Sequence, residues 1–219
     1  MSVGKYLNIW ILTVLLIGPK LLEGQEQVVE KDFQSWNRIS FEYKQSKKIS
    51  FKLAQSLRLS EKASQVNRVF TQFSTEYKFN KRIRVEAKYR HAYGDNGYHR
   101  GIIQVKLRKK LGKISLQLKP RFELNSERSN NTLSTRIRNQ GQFSYAFKDL
   151  KLSAFVELFN PIESGVNIGK INQFRYGIKS NLELNKKLDV GLSLFIDEEY
   201  KRRKDLKDTI LRFSLHYTL

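Results

Sequence analysis

Basic side chains at every second position are the residues of this chain with the clearest chemical meaning. Arg136 and Arg138 form one such pair, and Lys88 and Arg90 form another. Residues two apart in a β-strand point to the same face, so each pair places its charges side by side. Rows of cationic groups attract anions and exclude cations. The pattern therefore predicts an interior filled by salt-bridged, hydrated side chains, with an anion-preferring pore as the alternative.

The same pattern recurs along the whole chain. With 41 Lys and Arg against 21 Asp and Glu, the formal net charge is +20. The basic residues that share the polar face of an alternating segment are Arg38, Lys52, Arg58, Arg84, Lys88, Arg90, Lys106, Arg108, Arg121, Arg136, Arg138, Arg175, Lys179 and Arg212.

Catalytic signals are weaker than this basic pattern. His216 lies two residues from Ser214 on one face, a spacing that suits a nucleophile and its base. No nucleophile-elbow motif accompanies the pair, and no His, Asp and Glu cluster has metal-ligand spacing. The absence of cysteine excludes thiolate chemistry and disulfides. We therefore expect no enzymatic activity, no metal and no cofactor, with a lipid-modifying enzyme that uses His216 as the alternative.

The final residues, LRFSLHYTL, alternate between apolar and polar side chains up to the last position. An apolar strand that ends flush with the chain is typical of transmembrane β-barrels. The apolar residues Phe213, Leu215, Tyr217 and Leu219 are therefore predicted to form the signal that the barrel-assembly machinery reads.

Similar period-2 segments of about ten residues, the length of a tilted membrane-spanning strand, fill the chain from residue 33 onward. Short turns alternate with longer polar loops between them, which is the hairpin rhythm of outer-membrane barrels. Pro120 falls inside one segment, where a bulge or weak pairing is expected. The segments are Phe33–Tyr43, Ile49–Leu59, Val69–Phe79, Ile83–Tyr93, His99–Arg108, Ile114–Leu124, Thr135–Phe147, Leu152–Phe159, Phe174–Leu184, Leu188–Asp197 and Thr209–Leu219.

The direction of the first segment affects the expected strand count. An even-stranded barrel needs its first and last strands to run in opposite directions, whereas both of these segments run toward the short-turn end. A short additional strand at Gln27–Lys31 resolves the conflict. We therefore expect about twelve strands, with ten as the alternative.

Residues 1–24 have the features of a secretory signal peptide. Lys5 supplies the positive end, Tyr6–Ile17 supplies the apolar core, and Gly24 precedes a plausible cleavage site. The domain organisation is then a signal peptide over 1–24, an N-terminal segment over 25–32 and a barrel over 33–219. An exported basic protein of this kind does not meet nucleic acid in the cytosol.

Several short motifs resemble a known family. They are the start Asp32–Trp36 with Phe41–Lys44 and Lys47–Lys48, followed by Phe73, Tyr77, Phe79–Lys81 and Tyr89–Arg90. These residues resemble domain-of-unknown-function family 2490, a family of outer-membrane barrels, over about residues 30–219. The resemblance implies an outer-membrane barrel, and it implies no activity and no catalytic residue.

The sequence thus predicts an all-β, antiparallel, up-and-down transmembrane barrel in a Gram-negative outer membrane. Its expected function is structural, or that of a narrow, porin-like small-solute channel with a basic lumen. The expected partners are outer-membrane lipid, lipopolysaccharide and the barrel-assembly machinery. A secreted soluble β-protein that binds an anionic ligand is the further alternative.

Overall fold

Eleven β-strands make up most of the described chain in a computed structural model. The described residues are 29–94, 97–127, 133–162, 171–200 and 205–219. The strands are β1 (Val29–Lys44), β2 (Ile49–Ser60), β3 (Gln65–Lys78), β4 (Ile83–Ala92), β5 (Tyr98–Leu111), β6 (Ile114–Glu127), β7 (Leu133–Phe147), β8 (Leu150–Ile162), β9 (Gln173–Glu183), β10 (Leu188–Glu199) and β11 (Asp205–Thr218).

The strands close into one barrel. Each strand pairs antiparallel with the next, and β1 pairs parallel with β11. Strand direction alternates along the chain, so the first and last of eleven strands run the same way and can meet only in parallel. The predicted count of twelve, with ten as its alternative, is therefore wrong. Val29–Lys31 begin β1 and form no separate strand.

Side-chain alternation divides the barrel wall into two faces. The outer face carries large apolar side chains such as Phe41, Leu53 and Phe213, each about half exposed. The inner face carries the charged residues together with two small apolar clusters. One consists of Trp36, Phe155, Phe195 and Ile210, and the other of Phe70, Ala92 and Tyr98.

Local backbone chemistry explains one irregularity. The β5–β6 register leaves out Val105 and Lys106, which face Pro120 and Lys119, and resumes on either side with no register shift. Proline has no amide proton for the ladder, so weak pairing at Pro120 is confirmed without a bulge.

The predicted signal peptide 1–24 lies outside the described residues, as does most of the 25–32 segment. Within the described ranges, no helix has the length and apolar character needed to cross a membrane.

Close packing between β9 and β10 depends on a glycine. Gly177 lies opposite Phe195 in the register. A Cβ atom at Gly177 would clash with the Leu194 carbonyl oxygen and the Phe195 Cβ. Because two of the three nearest atoms belong to backbone, the neighbouring strand itself must move.

We predict that Gly177→Ala lowers the free energy of unfolding by about 1–3 kcal/mol, the usual cost of overpacking. Denaturant titration of the protein in detergent measures the change. Gly141→Ala is the matched control, because a Cβ at Gly141 meets nothing within 4 Å. Equal losses in both variants would contradict the packing explanation.

Candidate functional site

The inner face encloses a cavity of about 700 Å³. Of the described residues that line it, fifteen are Arg or Lys and five are Asp or Glu. The lining includes both Gln34 and Ser40 of β1, so the cavity extends roughly 20 Å along that strand. It is an elongated space with a strongly positive wall.

Most of the basic residues singled out from the sequence lie on this wall. Arg84 and Arg108 are outside the cavity lining, and Arg84 instead pairs with Glu76 at 3.0 Å. Arg68 lines the cavity although the sequence pattern missed it, because its strand begins earlier than expected. The cavity contains Arg38, Lys52, Arg58, Lys88, Arg90, Lys106, Arg121, Arg136, Arg138, Arg175, Lys179 and Arg212.

One part of the wall is an ion-pair network. Glu123, which is fully buried, accepts hydrogen bonds from Arg136 Nε at 2.7 Å and Arg138 Nη1 at 2.8 Å. Arg138 also reaches Glu157 at 2.9 Å. Arg175 bridges from Glu157, at 3.3 Å, to Asp197. These six residues, which we call the paired network, join β6, β7, β8, β9 and β10 on the inside.

A smaller network lies nearer the short-turn end. Lys106 Nζ lies 2.6 Å from both Glu76 and Glu86, and Lys88 lies 3.1 Å from Glu86. Each ammonium group in this network therefore faces a carboxylate. Its charges are compensated locally, as they are in the paired network.

Seven other cations in the cavity are not compensated in this way. None has a carboxylate within 4.0 Å among the residues that the structure describes. We call them the unpaired cluster, and they are Arg38, Arg58, Arg68, Arg90, Lys119, Lys179 and Arg212.

Aromatic rings hold most of this cluster. Trp36 lies opposite both Arg58 and Arg212 in the strand registers. The guanidinium carbons of Arg58 and Arg212 are 3.7 Å and 4.9 Å from the centroid of the Trp36 ring. Similar contacts place Arg90 at 4.3 Å from Phe70 and Lys179 at 3.9 Å from Phe155. A cation–π contact fixes a cation without neutralising its charge, so the cluster retains its capacity for anions.

The inward-facing phenylalanines were not identified from the sequence. They could have been found from their positions in the alternation of inward and outward side chains along each strand. Phe155 is two residues from Glu157, and Phe195 is two residues from Asp197, so each shares the inner face with an acid. A strict period-2 count places both rings inside.

The two other sequence-derived sites lie on β11. Ser214 donates a hydrogen bond to the Gly191 carbonyl, whereas His216 Nδ1 lies 2.9 Å from the hydroxyl of Ser40. The structure therefore pairs His216 with Ser40 and not with Ser214, the neighbour that the sequence spacing offered. Phe213, Leu215 and Tyr217 alternate on the outer face, and the Leu219 amide closes the end of the strand on the Glu42 carbonyl at 2.8 Å.

Comparison with known proteins agrees with this architecture. The family described as "Protein of unknown function (DUF2490)" matches residues 33–218. A solved structure entitled "Bacterial polysaccharide outer membrane secretin" superimposes with a TM-score of 0.51 at 12% sequence identity. The match covers 77% of this chain and 64% of that one, which is less than two thirds of the latter's length. It shows similarity of fold alone. No curated protein matches the sequence.

We predict that Glu123→Gln lowers the free energy of unfolding by about 3 kcal/mol, because it leaves buried guanidinium groups without their counter-charge. Denaturant titration measures the loss. The exposed Glu183 gives the control variant Glu183→Gln, for which we expect a change below about 0.5 kcal/mol. A stability unchanged by Glu123→Gln would mean that the paired network does not hold the wall together.

Proposed function

This chain belongs to the DUF2490 family, and we propose that it is an outer-membrane β-barrel whose lumen binds and conducts small anions. The observation that carries this proposal is the unpaired cluster. Its cations face a polar cavity, and no described carboxylate satisfies them. An anionic solute that enters the lumen supplies the missing counter-charge.

Four observations support a membrane location. The outer face is broadly apolar, beyond the patches that soluble monomers usually expose. Exposed aromatic rings lie near both ends of the strands, with Tyr43 and Phe79 at the short turns and Tyr93 beside a longer loop. The strands are 10 to 16 residues long, enough to cross the hydrocarbon layer at a tilt. The structural neighbour is also named as an outer-membrane protein.

The proposed solutes are small because the lumen is narrow. Eleven strands fall between the eight-stranded barrels that side chains fill and the sixteen-stranded porins that keep a wide channel. Inside this barrel, Trp36, Phe155 and Phe195 occupy part of the cross-section as one apolar cluster. A solute that crosses the barrel through the lumen must fit beside these rings.

The paired network makes Arg136 and Arg138 poor probes of anion preference, because each already neutralises a glutamate. The double variant Arg58→Gln, Arg212→Gln instead removes two uncompensated charges next to Trp36. We predict that it lowers the chloride-to-potassium permeability ratio at least about twofold, since fewer fixed cations exclude potassium. Reversal potentials in planar bilayers under a KCl gradient measure this ratio.

Arg108→Gln is the control, because it removes an arginine charge at a position outside the cavity lining. We expect it to leave the permeability ratio unchanged. A channel that prefers potassium, or a ratio indifferent to the double variant, would refute the anion proposal.

The proposed location has its own test. We predict that the full-length chain, expressed in a Gram-negative host, fractionates with the outer membrane and migrates faster on a gel without boiling. Mass spectrometry should find a mature N-terminus at Gln25. A protein that remains soluble without detergent would instead favour the secreted β-protein and would make the basic face a binding surface.

A further inference from the structure

Three side chains form a hydrogen-bonded chain at the short-turn end of the cavity. The Ser40 hydroxyl lies 2.9 Å from His216 Nδ1. The other ring nitrogen, His216 Nε2, lies 3.0 Å from Glu42 Oε2. Lys52 Nζ lies 3.4 Å from the same carboxylate oxygen. A nucleophile, a base and a group that orients the base are therefore in mutual reach.

The carboxylate determines how the imidazole can act. The Glu42 carboxylate oxygen lies within hydrogen-bond distance of His216 Nε2, so it can accept the N–H of that nitrogen. In the tautomer with the proton on Nε2, Nδ1 has a lone pair that can accept the Ser40 hydroxyl proton. A general base for a serine nucleophile requires such a free ring nitrogen beside the hydroxyl.

The parallel pairing of β1 and β11 creates this arrangement. Ser40 and His216 are direct partners in its register, and Glu42 follows two residues later on the same face of β1. Small residues surround the hydroxyl. Ala54 lies opposite Ser40 on β2, and the neighbouring inward positions are Ser56 and Ser214. They leave room for a carbonyl group to approach.

Arg38 completes the chemistry. It is the next inward residue of β1, about 7 Å from Ser40 along the strand, and it belongs to the unpaired cluster. We therefore include its guanidinium in the proposal as the group that stabilises an oxyanion formed at a carbonyl held by Ser40.

We propose that Ser40, His216 and Glu42 form a hydrolytic site for carboxylic esters of small acidic solutes. The substrate's negative charge rests on the proposed anion preference of the lumen, whereas the nucleophile and its base do not. Ser40 and His216 are the catalytic residues, and Glu42 is a positioning residue.

The reaction uses water as its only co-reactant. Ser40 Oγ attacks the ester carbonyl carbon while His216 Nδ1 takes the hydroxyl proton. The carbon–alkoxy bond breaks, the alcohol leaves with that proton, and an acyl group remains on Ser40. Water then attacks the acyl carbon and gives a proton to His216. The bond to Ser40 Oγ breaks, the serine regains the proton, and the free acid leaves.

Covalent labelling is the first test. The full-length protein in detergent is treated with diisopropyl fluorophosphate, and peptides are mapped by mass spectrometry. We expect a diisopropylphosphoryl adduct on Ser40, formed as the serine oxygen displaces fluoride, and its absence in Ser40→Ala. In His216→Gln the labelling rate should fall about 100-fold or more, the range of general-base catalysis. Ser193→Ala is the matched control, because Ser193 is an inward serine of the cavity lining on β10, outside the proposed site.

Turnover tests the substrate class. Para-acetoxybenzoate and phenyl acetate differ by one carboxylate, and we expect faster hydrolysis of the former. Glu42→Gln should lower kcat while Glu42→Asp restores part of it, a difference that a purely structural role would not produce.

A correctly folded protein, shown by its heat-modifiable gel band, that neither labels at Ser40 nor hydrolyses either ester would overturn the proposal. The three residues would then serve only as a side-chain contact that holds β1 against β11. Because anion permeability is measured separately, such a failure would leave the proposed channel function standing, and a loss of anion preference alone would not remove the esterase.

Discussion

The parallel contact between β1 and β11 is the constraint on which the rest of this barrel depends. An odd number of strands can close only in this way, and parallel pairing is slightly less stable per residue than antiparallel pairing. The greater length of the parallel contact offsets its lower stability per residue. The β1–β11 register contains fourteen residue pairs, whereas the β1–β2 register contains ten. Closure then removes every free sheet edge among the described strands.

The register of that contact also determines which inward side chains meet. It places Arg212 beside Trp36 and His216 beside Ser40. A shift of one residue would turn the inward residues of β11 outward, since side chains alternate with a period of two. It would put Arg212 on the apolar face, where a charge at the membrane midplane costs about 2–4 kcal/mol. The charged side chains of β11 therefore stabilise the observed register, and this register in turn places them in the lumen.

Much of this fold could be predicted from alternation alone, because each strand carries its own apolar and polar faces. All eleven predicted segments correspond to strands, and the polar face of each became the interior. The closure could not be predicted in the same way. Alternation reports the orientation of side chains within a strand, and it contains no information about which strand is the neighbour at the ends of the chain. We therefore relied on the rule that barrels have an even number of strands, and this rule led to the incorrect prediction of a twelfth strand at Gln27–Lys31.

For the candidate site, too, the sequence predicted which residues take part but not which side chains they contact. The sequence identified the cations but could not separate Arg138, which bridges Glu123 and Glu157, from Arg58, which lies over the rings of Trp36 and Phe70. That distinction depends on side chains from strands far apart in sequence. For the same reason, local spacing matched His216 with Ser214 on its own strand, whereas the actual partner, Ser40, lies 176 residues away.

Compensated and uncompensated charges share the lumen. The paired network satisfies its guanidinium groups with carboxylates and links β6 to β10 on the inside. Beside the β1–β11 contact, Trp36 holds Arg58 and Arg212 through cation–π contacts, which leave the charge of both side chains available. A lumen made entirely of ion pairs would have no preference for anions, and one made entirely of free cations would repel itself. The proposed anion preference therefore depends on the presence of both kinds of charge in one narrow barrel.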